Sequence, residues 1–175
     1  NIPDGGGYVT SRSNNSVIRV IDNPMNPLLP NFLTMNIPIL NSPVGIVRDS
    51  AGNLFVANSS TSGSNPNSLI KAIIDSTGQV SSSQVFATGF NAPNGVAIDS
   101  NDTMYVTNYM SNTISRVTAG GVVSGSWATT GTNPKGIATD GSYLWVANRG
   151  SNTVQKFNMT TGGALFTVTN IWVPD

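Results

Sequence analysis

One phrase returns four times along the chain: an aromatic residue, a valine, a small residue and a polar one. It reads Tyr8-Val9-Thr10-Ser11, Phe55-Val56-Ala57-Asn58, Tyr105-Val106-Thr107-Asn108 and Trp145-Val146-Ala147-Asn148. Self-similarity at a period of roughly 40–50 residues is the mark of stacked or radial repeats, in which each unit buries its apolar face only against a neighbour. The repeat therefore constrains the architecture strongly and the function weakly.

Three of the four phrases have a second element upstream. Pro43-Val44-Gly45-Ile46 runs to Asp49, Pro93-Asn94-Gly95-Val96 to Asp99, and Pro134-Lys135-Gly136-Ile137 to Asp140. Proline suits the first position of such a strand because it has no N–H to give to a central ladder, and glycine lets a neighbouring backbone come close. Asp then opens a turn, its carboxylate able to accept from amides further on. The aromatic-Val strand completes a hairpin. A third strand follows at Asn15–Val20, Asn67–Ala72, Asn112–Val117 and Asn152–Phe157, each with a cation four residues after the Asn (Arg19, Lys71, Arg116, Lys156). A fourth apolar strand is visible at Gln84–Ala87 and Ala164–Val168. Four short antiparallel strands per repeat make one propeller blade. No sustained apolar spacing of three and four residues predicts a helix.

At these residues the chain resembles the NHL and YVTN families of β-propeller repeats. The resemblance rests on the P-x-G-[IV] starts at Pro43, Pro93 and Pro134, the nearly literal Tyr105-Val106-Thr107-Asn108, and the Ser-Asn-Thr-[VI] phrases at Ser111–Ile114 and Ser151–Val154. It implies an all-β β-propeller of four-stranded antiparallel blades, about four repeats in one domain spanning residues 1–175. The repeats fall at approximately 5–42, 43–92, 93–133 and 134–175, and the first blade is incomplete. Only Gly5, Gly6 and Gly7 separate Asp4 from Tyr8, which leaves no room for a first strand there. Three completions stay open: closure by the C-terminal run Ile171-Trp172-Val173-Pro174, a strand from a neighbouring subunit, or membership of a larger ring. Tyr8, Ile171, Trp172 and Val173 are thus the candidate closure or assembly residues. In this register Trp145 packs between blades, and Trp145→Ala should cost about 3–5 kcal/mol.

The second repeat differs. Nine residues lead from Asn58 to Asn67 where the counterparts take four, so Ser59–Pro66 is a longer hairpin loop. Loops tolerate such length changes at little entropic cost.

Composition narrows the function. Charged residues are 9% of the chain, there is no His or Cys, all eight acidic residues are Asp, and the formal net charge is zero. With no excess cation to displace counterions, a nucleic-acid partner is not expected. No apolar stretch of about 18 residues predicts a membrane span. Solubility resting on Asn, Ser, Thr and Gly points to an extracellular or cell-surface setting. Acceptor tripeptides make Asn14, Asn58, Asn101 and Asn158 candidate glycosylation sites.

Without His or Cys there is no Ser-His triad, no thiol nucleophile and no His/Cys zinc set. The resemblance extends to gluconolactonase-like propellers, whose central cation is held by Glu, Asn and Asp. Asn94 matches that pattern, but Val44 and Lys135 stand at the equivalent positions and no Glu is present. No cofactor or metal is expected, and the repeated Asp49, Asp99 and Asp140 read as turn formers. The sequence thus predicts a non-enzymatic structural or adhesive module with itself or an extracellular protein or glycan as partner. The alternative is a peptide- or glycan-binding platform at a channel mouth formed by Val44, Asn94 and Lys135. A gluconolactonase-like hydrolase or lyase is the weaker alternative.

Overall fold

The computed structural model describes residues 7–21, 31–63 and 65–169. Fifteen strands and no helix are found among them. The first blade holds β1 (Gly7–Ser11), β2 (Ser16–Ile21) and β3 (Asn31–Met35). The second holds β4 (Pro43–Arg48), β5 (Leu54–Asn58), β6 (Ser68–Ile74) and β7 (Val80–Ala87). The third holds β8 (Pro93–Ile98), β9 (Met104–Asn108), β10 (Thr113–Val117) and β11 (Val123–Thr129). The fourth holds β12 (Pro134–Thr139), β13 (Tyr143–Asn148), β14 (Thr153–Asn158) and β15 (Ala164–Val168). In every blade the strands pair antiparallel in chain order. This is the propeller architecture, with three strands in the first blade and four in each of the others among the described residues.

The turns explain the regularity. Asp49 Oδ1 accepts the Asn53 N–H, Asp99 Oδ1 those of Asn101 and Thr103, and Asp140 Oδ1 those of Ser142 and Tyr143. Each carboxylate satisfies amides that the tight turn would otherwise leave bare. The Asn opening each third strand takes a positive φ, at 49° in Asn15, 44° in Asn67, 58° in Asn112 and 51° in Asn152, a conformation Asn tolerates better than most residues. Two of these also link blades. Asn15 Oδ1 accepts the Ser42 N–H at 2.7 Å and Asn112 Oδ1 the Asn133 N–H at 2.8 Å, each just ahead of the next blade's proline.

Because strand side chains alternate, each blade has a leading face toward the next blade and a trailing face toward the previous one. Phe55, Ala57 and Leu69 on the leading face of the second blade meet Val96, Met104, Val106 and Val117 of the third. Tyr105, Ile114 and Ala128 of the third meet Leu144, Val146 and Phe157 of the fourth. Val17 and Met35 of the first blade, with Ile37 and Leu40 of the link, meet Leu54, Val56 and Ile70 of the second. Full burial of one such side chain is worth about 1.5–3 kcal/mol, so these three face-to-face cores dominate the cohesion of the stack.

One expectation is corrected. Phe55 and Tyr105 are packed between blades, but Trp145, their counterpart, is only half-buried. It lies on the leading face of the last described blade, edge-on to Phe166 with ring centroids 5.6 Å apart. The repeat register is right, but among the described residues no further blade packs on the ring.

Candidate functional site

Pro43, Pro93 and Pro134 begin the innermost strands β4, β8 and β12, and all three are buried. The register slips immediately after each proline, between Pro43 and Ile46, Pro93 and Val96, and Pro134 and Ile137. The slipped residues are Val44-Gly45, Asn94-Gly95 and Lys135-Gly136, so the irregularity recurs at the three candidate mouth residues. Such bulges redirect side chains at the ends of sheets.

Their backbones are fixed by the adjoining blade. Thr10 Oγ1 donates to the Val44 carbonyl at 2.6 Å, and Thr107 Oγ1 donates to the Lys135 carbonyl at 2.9 Å. A Cβ built on Gly45 would lie 2.5 Å from the Asn94 carbonyl oxygen, and one on Gly95 would collide with the Lys135 carbonyl oxygen. The three inner strands therefore sit side by side in one arc, with backbone touching backbone. The side chains have more freedom: Val44 and Asn94 are half-buried and Lys135 is exposed. Among the described residues, neither the Asn94 amide nor the Lys135 ammonium is drawn into a hydrogen bond or ion pair. Sequence reasoning found these three positions through the P-x-G phrase but missed Thr10 and Thr107. Their signal was a hydroxyl at the third position of the aromatic-Val phrase, present in two repeats and replaced by Ala57 and Ala147 in the others.

The cations of the third strands belong to a different arrangement. Lys71 Nζ lies 5.2 Å from the Phe55 ring and 5.8 Å from the Phe86 ring, with Asp49 at 3.9 Å. Lys156 Nζ lies 3.6 Å from the Tyr143 ring, 4.8 Å from Trp145 and 5.8 Å from Phe166. Arg19 is buried, its guanidinium reaching the Gly78 carbonyl of the next blade. The two lysines lie against aromatic faces, an attraction of electrostatic origin, rather than standing in solvent. The aromatics of the fourth strands, Phe86, Trp127 and Phe166, were the signal that reading strand by strand did not connect.

The Asp140 turn carries a pH-dependent element. Amide hydrogen bonds from Ser142 and Tyr143, then the Trp145 indole, hold its carboxyl below the ordinary range. A lowered folded value means the contribution is complete above the unfolded carboxyl's pKa of about 3.9. It is lost as pH falls through the lowered folded value. The Trp145 indole N–H resonance should therefore move only below about pH 4, and Asp140→Asn should abolish that titration. An indole resonance that ignores pH down to about 2 in the wild type would contradict the contact.

The remaining candidates scatter. Asn14 and Asn101 are exposed in turns, while Asn158 is half-buried with Oδ1 accepting the Thr160 and Thr161 N–H groups. Asn58 is fully buried, its Oδ1 accepting the Asn41 N–H and its Nδ2 donating to the Asn65 carbonyl, so the folded chain leaves a glycan no room there. The long loop of the second blade is tied by Asn41 Nδ2 to the Ser62 carbonyl and by Ser68 Oγ to the Asn65 carbonyl. Tyr8 packs against the first interblade core with its hydroxyl buried and unpartnered. Ile171, Trp172 and Val173 lie outside the described residues. No cluster of three or more Asp side chains that could hold a metal occurs among the described residues.

No family model matches the chain, and no curated protein matches it. Solved structures do. A catalytically inactive virginiamycin B lyase from Staphylococcus aureus with quinupristin is 18% identical with a TM-score of 0.64, over 96% of this chain and 53% of the lyase. A nidogen/laminin complex gives 15% and 0.66, over 94% of this chain and 63% of the other. A gluconolactonase from Xanthomonas campestris gives 15% and 0.59, over 75% and 40%. At these identities the likeness is one of β-propeller fold. The chain spans about half the length of the lyase.

These neighbours correct the expectation of a non-enzymatic chain. That expectation rested on missing His, Cys and Glu, yet two of the three neighbours are enzymes. Residue content alone does not exclude activity on this fold.

Proposed function

We propose that the chain forms part of a ligand-reading propeller mouth, in which Val44, Asn94 and Lys135 meet a peptide or glycan carrying a carboxylate. The observation that carries this reading is the equivalent placement of the three residues on adjoining inner strands, with the Asn94 amide and Lys135 ammonium uncommitted. Lys135 supplies the attraction for an anionic group, Asn94 a donor and acceptor, and Val44 an apolar contact. Neighbouring propellers seen with quinupristin and in a complex of nidogen with laminin support the use of this fold for recognition. This reading takes precedence over an adhesive role, for which only composition speaks. The P-x-G and Tyr-Val-Thr-Asn phrases support placing the repeats in the NHL/YVTN class.

The test is an array of acidic peptides and uronate- or sialate-bearing glycans probed with the purified chain. Wild type should bind at low salt, with Lys135→Ala weakening binding about tenfold or more, equivalent to about 1.4 kcal/mol. Asn94→Ala should weaken it less. Binding untouched by Lys135→Ala, or no binding to any member, sinks the reading. Incubation with quinupristin and a sugar lactone in the same experiment reads turnover directly.

A further inference from the structure

We propose that the proline end of the inner strands is a basic docking face for an acidic glycan chain, one that presents a row of carboxylates. The inference rests on the mouth reading above and extends it from a single anionic group to several. It begins with where the charges lie. Asp49, Asp75, Asp99, Asp102 and Asp140 all stand in turns at the far end of the blades, between β4 and β5, β6 and β7, β8 and β9, and β12 and β13. Most of the cations are drawn to that same end. Arg48 donates to the Gly52 carbonyl and Arg19 to the Gly78 carbonyl, while Lys71 lies beside Asp49. Lys156 acts on the Asp140 carboxylate, and Arg116 meets the Tyr105 hydroxyl that reaches Asp99. Arg12, Lys135 and Arg149 lie instead at the proline end, where no Asp stands among the described residues. A chain of zero formal net charge thus has one basic end, and charge of one sign on one surface draws in a partner of the other.

A second repeat position is fixed at this end. The residue after the aromatic-Val phrase is Arg12, Ser59, Tyr109 or Arg149. In three blades its N–H donates at 3.1 Å to the residue ahead of the blade's proline, Ser59 to the Ser42 carbonyl, Tyr109 to Ala92 and Arg149 to Asn133. Those acceptors share one backbone conformation, with φ at 54° in Ser42, 51° in Ala92 and 51° in Asn133. The tie therefore has the same geometry each time, one step beyond the Pro43–Asn58, Pro93–Asn108 and Pro134–Asn148 pairs. In the fourth blade both positions are basic, and Lys135 and Arg149 are both exposed, as is Arg12 after β1. A single carboxylate cannot serve all three. Ser59 and Asn94 offer donors and acceptors to sugar hydroxyls, and Tyr109 an amphipathic ring. Val44 is the one aliphatic side chain among these positions, too little to anchor a peptide through the buried side chains that concentrate peptide binding energy.

The test is calorimetric titration of the purified chain at low salt with galacturonic acid, an oligogalacturonate and poly-glutamate. The variants are Lys135→Ala, Arg12→Gln, Arg149→Gln and, at the far end, Lys156→Gln, with circular dichroism checking that each remains folded. The oligogalacturonate is expected to bind about tenfold or more tighter than the monomer, because its later carboxylates bind intramolecularly. Arg12→Gln and Arg149→Gln should each weaken it about threefold or more, and Lys156→Gln should leave it unchanged. An oligomer no tighter than the monomer, or one indifferent to both arginines while Lys135→Ala still weakens binding, overturns this inference and leaves the mouth reading standing. Binding indifferent to Lys135→Ala, or no binding at all, sinks both. Poly-glutamate bound as tightly as the oligogalacturonate overturns the glycan assignment in favour of an acidic peptide.

Discussion

Phe157→Ala is expected to destabilise the chain by about 3–5 kcal/mol, the largest effect of any single truncation in the fourth blade. The ring is fully buried on the trailing face of β14, packed in the core that holds Tyr105, Ile114 and Ala128 of the third blade with Leu144 and Val146 of its own. Its loss removes transfer free energy and leaves a cavity that two sheets, each held by its own ladders, can close only partly. Phe32→Ala provides the control of the same chemistry. That ring is 69% exposed, so its removal should change stability by no more than about 0.5 kcal/mol. Urea unfolding of both variants checks the pair. Equal losses would mean that the two rings share one kind of environment, contrary to the face-to-face packing.

Gly95→Ala should cost about 1–3 kcal/mol although it adds a single methyl group. The new Cβ meets the Lys135 carbonyl oxygen, with the Ile137 amide nitrogen at 3.1 Å. Both are backbone atoms fixed in β12, so no rotamer change relieves the clash and the third and fourth blades must part. Gly136→Ala adds the same methyl group at the same place in the repeat. Only the Ala147 Cβ lies near it, at 3.7 Å, and stability should be nearly unchanged or slightly raised. The difference between the two midpoints isolates the cross-blade contact from any general effect of glycine replacement. A Gly95→Ala chain as stable as Gly136→Ala would show that the inner strands do not touch.

Much of this was legible in the residues. The prolines at 43, 93 and 134 begin their strands, and the Asp turns and polar Asn turns fall where the repeat puts them. The glycine after Pro-x was readable as a close approach, because few other roles call for glycine in an inner strand; Gly45 and Gly95 make that approach and Gly136 does not. The fate of Trp145 was not legible. Its phrase is indistinguishable from that of Tyr105, and burial depends on whether another blade follows, which no local pattern encodes. Asn58 illustrates the same limit in reverse: an acceptor tripeptide records sequence, while partners outside it, Asn41 before the blade and Asn65 across the loop, hold the buried amide. Val44, Asn94 and Lys135 were singled out because they share one repeat position. The hydroxyl clamps from Thr10 and Thr107 span 34 and 28 residues between blades and have no short-range signal. The cations on the third strands were visible individually, but their aromatic partners on the fourth strands were not, since pairing them requires the β6–β7 and β14–β15 registers.

The most direct measurement is a nuclear Overhauser spectrum of the isotope-labelled chain, read at the glycine α-protons of the inner strands. The packing of β4, β8 and β12 predicts cross-peaks from Gly95 to the Ile137 γ2-methyl group, whose carbon lies 3.0 Å from the Cβ position of that glycine. It predicts a further set from Gly45 to the Val96 amide, with its nitrogen at 2.8 Å from the equivalent position. Absence of both sets, in a spectrum where the β8–β9 and β12–β13 hairpins give their own cross-strand peaks, would contradict the arc of touching blades.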